Sequence, residues 1–146
     1  MNSSDMENAV HEVGTARLVR AFHIMPGVPG PEGELHAHDY RVEVVVERQE
    51  LDERGMVCDL DVLNAALAEI IAQVDGQDLE RIRPDGAEAV TVEVFASWVH
   101  ARLADALRGA GGDVLTVRVW ESADAFGGCR APVATDCGSG QRRNRS

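Results

Sequence analysis

Leu35-His36-Ala37-His38-Asp39-Tyr40-Arg41-Val42-Glu43-Val44-Val45-Val46-Glu47 is the stretch on which the fold turns. Tyr40, Val42, Val44 and Val46 fall on one side of an extended chain, with Arg41, Glu43 and Glu47 opposite. A period of two marks a strand with one buried face. The same alternation puts His36 and His38 on one side, so both imidazoles can reach a single metal ion. Taken alone, a His-x-His pair is more often what chance places at a polar strand start.

Working outward, Ala16 to His23 (ARLVRAFH) is a second strand candidate, and its last residue could supply a third imidazole from a paired neighbour. Three His ligands with an open fourth position are a catalytic type of zinc site. Pro26 to Gly33 (PGVPGPEG) reads as loop, because its prolines and glycines sustain neither helix nor ladder. After the central strand, Glu53-Arg54-Gly55 reads as a turn and Met56-Val57-Cys58 as a returning extended segment, together a hairpin.

Asp59 or Asp61 can cap a first helix, whose apolar stripe is Leu63, Leu67, Ile70, Ile71 and Val74. Thr91 can cap a second, striped by Val94, Phe95, Trp98, Val99, Leu103 and Leu107, with Gly109 to Gly112 ending it. Val114 to Trp120 alternates again and reads as a last strand. Two helices against a largely antiparallel sheet define an α+β domain. The chain divides into a loose arm over residues 1–13, one domain over 14–132 and a disordered tail over 133–146. No internal repeat is present.

The 146 residues suit one domain, and 45% hydrophobic content is globular. The N-terminal stretch has neither the basic nor the apolar region of a signal peptide, and no apolar run reaches membrane-spanning length, so cytoplasmic residence is expected. Cysteines at 58, 129 and 137 are odd in number and irregular in spacing, which favours reduced thiols over a disulfide framework. The net charge of -11, with all 14 basic residues Arg, disfavours nucleic acid and anionic membranes as partners.

Several motifs, in order, resemble the family of 6-pyruvoyl-tetrahydropterin and 6-carboxy-tetrahydropterin synthases. They are Val19-Arg20-Ala21-Phe22-His23, His36-Ala37-His38-Asp39-Tyr40, Gly55-Met56-Val57-Cys58-Asp59-Leu60, Asp75, Thr91-Val92-Glu93 and Val119-Trp120-Glu121-Ser122. The match runs over about residues 15 to 125. The resemblance implies the tunnelling fold: a four-stranded antiparallel sheet with two helices on one face, closing into homo-oligomeric barrels, typically hexamers, with sites between subunits. It implies Zn2+ held by His23, His36 and His38, a small-molecule pterin anchored by Glu121, and Thr91 as a second substrate-binding position.

The family's proton-transfer groups are altered. Its Cys, four residues before the first His of the pair, is Glu32 here; of its Asp–His pair, Asp75 stands but the neighbour is Gly76. Glu32 and Asp75 are therefore the catalytic candidates, with Glu34 a second carboxylate on the same loop. A branch of the family with Glu in the Cys position cleaves the pterin side chain by a retro-aldol step, and Glu32 fits that branch. The family's usual triphosphate substrate wants clustered cations, for which Arg17, Arg20, Arg41, Arg81 and Arg83 are the available groups. The expectation is a zinc-dependent lyase or cyclase acting on a pterin or pterin-like substrate. Two alternatives are a repurposed member acting on a non-pterin intermediate of specialised metabolism, and a catalytically inactive zinc-containing binding protein.

Overall fold

The computed structural model describes residues 6–133. Four strands form one antiparallel sheet in chain order: β1 (His11–His23), β2 (His36–Arg48), β3 (Val114–Trp120) and β4 (Phe126–Pro132). Helices α1 (Leu60–Ala72) and α2 (Val92–Ala106) lie between β2 and β3 in the chain. They cover the same side of the sheet: α1 packs over β1, α2 over β3 and β4, and the helices touch each other.

The alternation of the central strand sets this arrangement. Val19 and Ala21 on β1, Tyr40, Val42, Val44 and Val46 on β2, and Leu115, Val117 and Val119 on β3 all face the helices and are buried. Leu63, Leu67, Ile70 and Ile71 of α1 meet them, as do Phe95, Ala96, Val99 and Leu103 of α2. Each Val, Leu, Ile or Phe side chain among them contributes about 1.5–3 kcal/mol by leaving water. Asp59 caps α1 by accepting the Asp61 N–H at 2.9 Å, and Thr91 caps α2 by accepting the Val94 N–H at 3.1 Å. His100, on the buried face of α2, bonds through Nε2 to the carbonyls of Leu115 at 3.0 Å and Ala131 at 3.3 Å.

Three expectations are corrected. The sheet begins at His11, so residues 11–13 belong to β1 and not to a loose arm; Val13 pairs with Val46. Met56-Val57-Cys58 is not a strand. Val57 and Cys58 instead bury themselves ahead of α1. The fourth strand is Phe126-Gly127-Gly128-Cys129-Arg130-Ala131-Pro132, whose glycines and proline hide its strand character. The glycine at 127 serves packing: a Cβ there would come 2.6 Å from Val92 Cγ2 in the first turn of α2. Val133, placed in the tail, is buried and donates its N–H to the Asp113 carbonyl at 2.9 Å. The remainder of that tail, residues 134–146, lies outside the described residues, as do residues 1–5 of the arm.

Cys58 is buried, and burial, seconded by the charge of Asp59, pushes its thiol above its ordinary value. That suits a small hydrophobe and not a nucleophile.

Candidate metal centre

The inward rows of the sheet do not stop where the apolar core stops. On β1 the row Val19, Ala21 continues to His23; on β2 the row Val42, Tyr40 continues back to His38 and His36. The strand register pairs His23 with His36 and Ala21 with His38. Three imidazoles therefore meet at one end of the sheet, with ring centroids 4.5, 5.1 and 4.8 Å apart.

Glu32 joins them from the β1–β2 connection. Pro31 opens a single 3-10 turn (Pro31–Gly33), with its fixed φ suited to that first position. The loop folds back on itself: the Met25 N–H donates to the Glu32 carbonyl at 2.9 Å, and a Cβ at Gly33 would collide with the Val28 carbonyl oxygen. Glu32 Oε2 thereby stands 3.1 Å from His36 Nε2. Glu34 contributes its backbone instead; its carbonyl accepts from His36 Nδ1 at 2.7 Å. That bond turns His36 Nε2 inward, the usual way a protein orients an imidazole ligand.

The residues fit a metal ion. Ligand atoms from His23, Glu32, His36 and His38 all lie within 4.8 Å of one another. His36 Nε2 and His38 Nε2 are 3.1 Å apart. His23 is 7% exposed, and neither of its ring nitrogens has a hydrogen-bond partner. A buried imidazole without a partner is costly unless a cation takes its lone pair. Its pKa is lowered, first by burial and then by the charges of His36 and His38, which keeps the neutral, metal-binding form.

Tyr40 forms the floor, its ring 5.5 Å from His38 and 6.3 Å from His23, and stacked edge-on against Phe95 at 5.4 Å. Its phenol is held well above the ordinary tyrosine value, chiefly by burial and then by the carboxylates of Glu121 and Glu32. Glu121 follows β3, one residue past the Arg41–Trp120 register pair; it is exposed, and its charge acts on the Tyr40 phenol. Its N–H closes a turn on the Ala125 carbonyl at 3.0 Å. The alternation of β2 marks Tyr40 as core, and its place in the row His36, His38, Tyr40 also sets it beneath the site.

Two candidates stand apart. The Asp75 carboxylate accepts the Arg20 N–H at 3.3 Å, and the Gly76 N–H donates to the Arg20 carbonyl at 2.6 Å, clasping the edge of β1. Gly76 has φ +71°, a conformation L side chains rarely adopt. Thr91 is occupied as the cap of α2. Of the arginines considered for a phosphate, Arg20 pairs with Asp39 at 2.9 Å, Arg41 with Glu43 at 3.6 Å and Arg83 with Glu80.

Sheet, helices and histidine cluster define an α+β domain with a three-imidazole centre at one end of its sheet. The family model for 6-pyruvoyl tetrahydropterin synthase matches residues 15–131, and the chain belongs to that family. Its fold is that of solved family structures. The Caenorhabditis elegans 6-pyruvoyl tetrahydropterin synthase is 17% identical, with TM-score 0.69 over 86% of this chain and 98% of that one. The Plasmodium falciparum enzyme is 14% identical, with TM-score 0.69 over 86% and 100%. A Plasmodium vivax enzyme, carrying a glutamate-to-cysteine change at a catalytic residue, is 13% identical, with TM-score 0.68 over 86% and 99%. No curated protein sequence matches the chain.

Proposed function

We propose that this protein is a zinc-dependent lyase that acts on a dihydropterin carrying a hydroxylated side chain, with Glu32 moving the proton. The observation that carries this reading is the convergence of His23, His36, His38 and the Glu32 carboxylate on one point, with the buried ring nitrogens of His23 partnerless. His23, His36 and His38 would hold the zinc. When bound, the metal supplies a Lewis acid that polarises a substrate hydroxyl or carbonyl oxygen.

The protein's own groups do the rest. Glu121, just past the end of β3, accepts the paired N–H donors of the aminopyrimidine edge, a recognition that suits a carboxylate. Glu32, half exposed on its turn, takes the proton of the side-chain hydroxyl. The oxygen then forms a carbonyl as the adjacent C–C bond breaks, and the electron pair passes into the pterin ring, giving retro-aldol cleavage. A carboxylate base suits this step, and the catalytic glutamate of the Plasmodium vivax enzyme supports the assignment. The pairing of Arg20, Arg41 and Arg83 with carboxylates favours an unphosphorylated side chain over a triphosphate.

Repurposing toward a non-pterin substrate is favoured by one observation: Asp75 is engaged with the Arg20 backbone, and residue 76 is glycine. Assembly into a homo-oligomer, a hexamer in this reading, is supported by the outer edge of β4 and by the exposed Leu18 and Phe126 on the edge strands. Among the described residues no helix is long and apolar enough to cross a membrane, and a cytoplasmic enzyme is our reading.

Metal analysis with turnover assays tests the proposal. The purified chain should carry about one zinc and cleave dihydroneopterin-type substrates. Glu32→Gln should lose about 10²–10⁴ in rate while Glu34→Gln stays near wild type. Wild-type turnover in Glu32→Gln, or full zinc occupancy in His36→Ala, would sink the assignment. Light scattering that reports a stable monomer would remove the hexamer.

A further inference from the structure

Neutral imidazole carries one N–H. In His36 it is committed at Nδ1 to the Glu34 carbonyl, 2.7 Å away. Nε2 then has only a lone pair, yet a carboxylate oxygen, Glu32 Oε2, stands 3.1 Å from it, and His38 Nε2 lies at the same distance. His23 adds two buried ring nitrogens that no group meets in full hydrogen-bonding geometry, although the Val90 backbone bears on the ring. A hydrogen-bond network does not account for a carboxylate oxygen set against the lone pair of His36 Nε2. A cation between them does.

We propose that Glu32 is a fourth ligand to the metal in the resting enzyme, and that substrate takes its place. This rests on the zinc-centre reading above. Metal–ligand bonds of about 2.0–2.1 Å in a tetrahedron put neighbouring ligand atoms about 3.3 Å apart. The two 3.1 Å separations at His36 Nε2 are close to that edge length, one to a histidine and one to the carboxylate. Glu32 thus meets His36 as a co-ligand would, at the same distance as His38.

The turn that carries Glu32 lets it leave. Its side chain is 55% exposed, against 18% for His36, so the carboxylate can rotate off the centre without disturbing the core. Its backbone stays fixed by the Met25 N–H to Glu32 carbonyl bond of 2.9 Å. An anionic ligand also reduces the charge of the resting centre, which three neutral imidazoles cannot do. Displaced by a substrate oxygen, the same carboxylate is released beside that oxygen, where a base is needed. One residue serves as ligand at rest and as base in turnover.

Cobalt(II) in place of zinc reports the coordination directly, independent of turnover. The full chain and its Glu32→Gln, Glu32→Ala and Glu34→Gln variants are loaded with cobalt, and visible d–d spectra, cobalt affinity by chelator competition and azide titrations are recorded. Glu32→Gln and Glu32→Ala should change the spectrum, weaken cobalt binding by about tenfold or more and bind azide more tightly than wild type. Glu34→Gln should do none of these. Spectra, affinity and azide binding unchanged in both Glu32 variants overturn the ligand role; if their turnover is lost even so, the base role stands alone. Wild-type protein that takes up no cobalt or zinc overturns the metal centre itself, and this proposal with it.

Discussion

His23 on β1 is the register partner of His36 on β2, and their rings meet edge to face with centroids 4.5 Å apart. The pairing joins the candidate metal centre to the strand ladder, and His38, paired with Ala21 in the same ladder, completes it, so the sheet holds all three imidazoles in place before any ion arrives. Loading zinc should therefore stabilise the fold without reorganising it. At free zinc 100 times its dissociation constant the gain is about 2.7 kcal/mol. Thermal unfolding with zinc and with a chelator should show that shift in wild type and little of it in His23→Ala. Equal melting temperatures in wild type with and without zinc would contradict the centre.

Metal-free protein should also respond to pH through His23. Its folded pKa lies below the ordinary histidine value of 6.5, chiefly because it is buried. The unfolded chain then binds the proton more readily, so stability is complete above about pH 6.5 and falls as pH drops below it. Denaturant midpoints of the metal-free chain should fall on acidification, and less so in His23→Gln.

Tyr40 is the only tyrosine, which makes its ionisation readable by ultraviolet absorbance. Burial raises its pKa from 10.0, and the Glu121 and Glu32 carboxylates raise it further. Glu121→Gln removes one negative charge and should move the titration to lower pH. Identical titrations would place Glu121 away from the site and remove its role as ring anchor.

Thr91 caps α2 through a 3.1 Å bond from the Val94 N–H. Thr91→Ala should cost about 1 kcal/mol and Thr91→Ser much less. If Thr91 only caps, the serine variant restores stability and substrate affinity together. Normal stability with a raised KM in Thr91→Ser would show direct contact with substrate.

Asp75 spends its carboxylate on the Arg20 N–H. Asp75→Asn should cost about 0.5–1.5 kcal/mol of stability and change turnover far less than Glu32→Gln. A larger rate loss in Asp75→Asn than in Glu32→Gln would return Asp75 to the chemistry.

Local chemistry made much of this protein legible in its sequence. Val42, Val44 and Val46 alternate because one face of β2 is buried, and that period survives any detail of packing. The caps at Asp59 and Thr91 and the stripes of both helices follow from backbone groups each helix must satisfy for itself. His36 and His38 share a side by the geometry of a single strand, and the motifs around them carry the family. What needed the tertiary structure depends on partners distant in the chain. β4 is a strand because β3 lies beside it, not because Gly127 and Gly128 prefer to be extended. His23 reaches His36 only through the β1–β2 register. That the Glu32 carboxylate and the Glu34 carbonyl are the groups facing His36 is decided by the turn between them. Asp75 is drawn away by the open edge of β1, whose Arg20 N–H and carbonyl need partners that only the folded chain brings near.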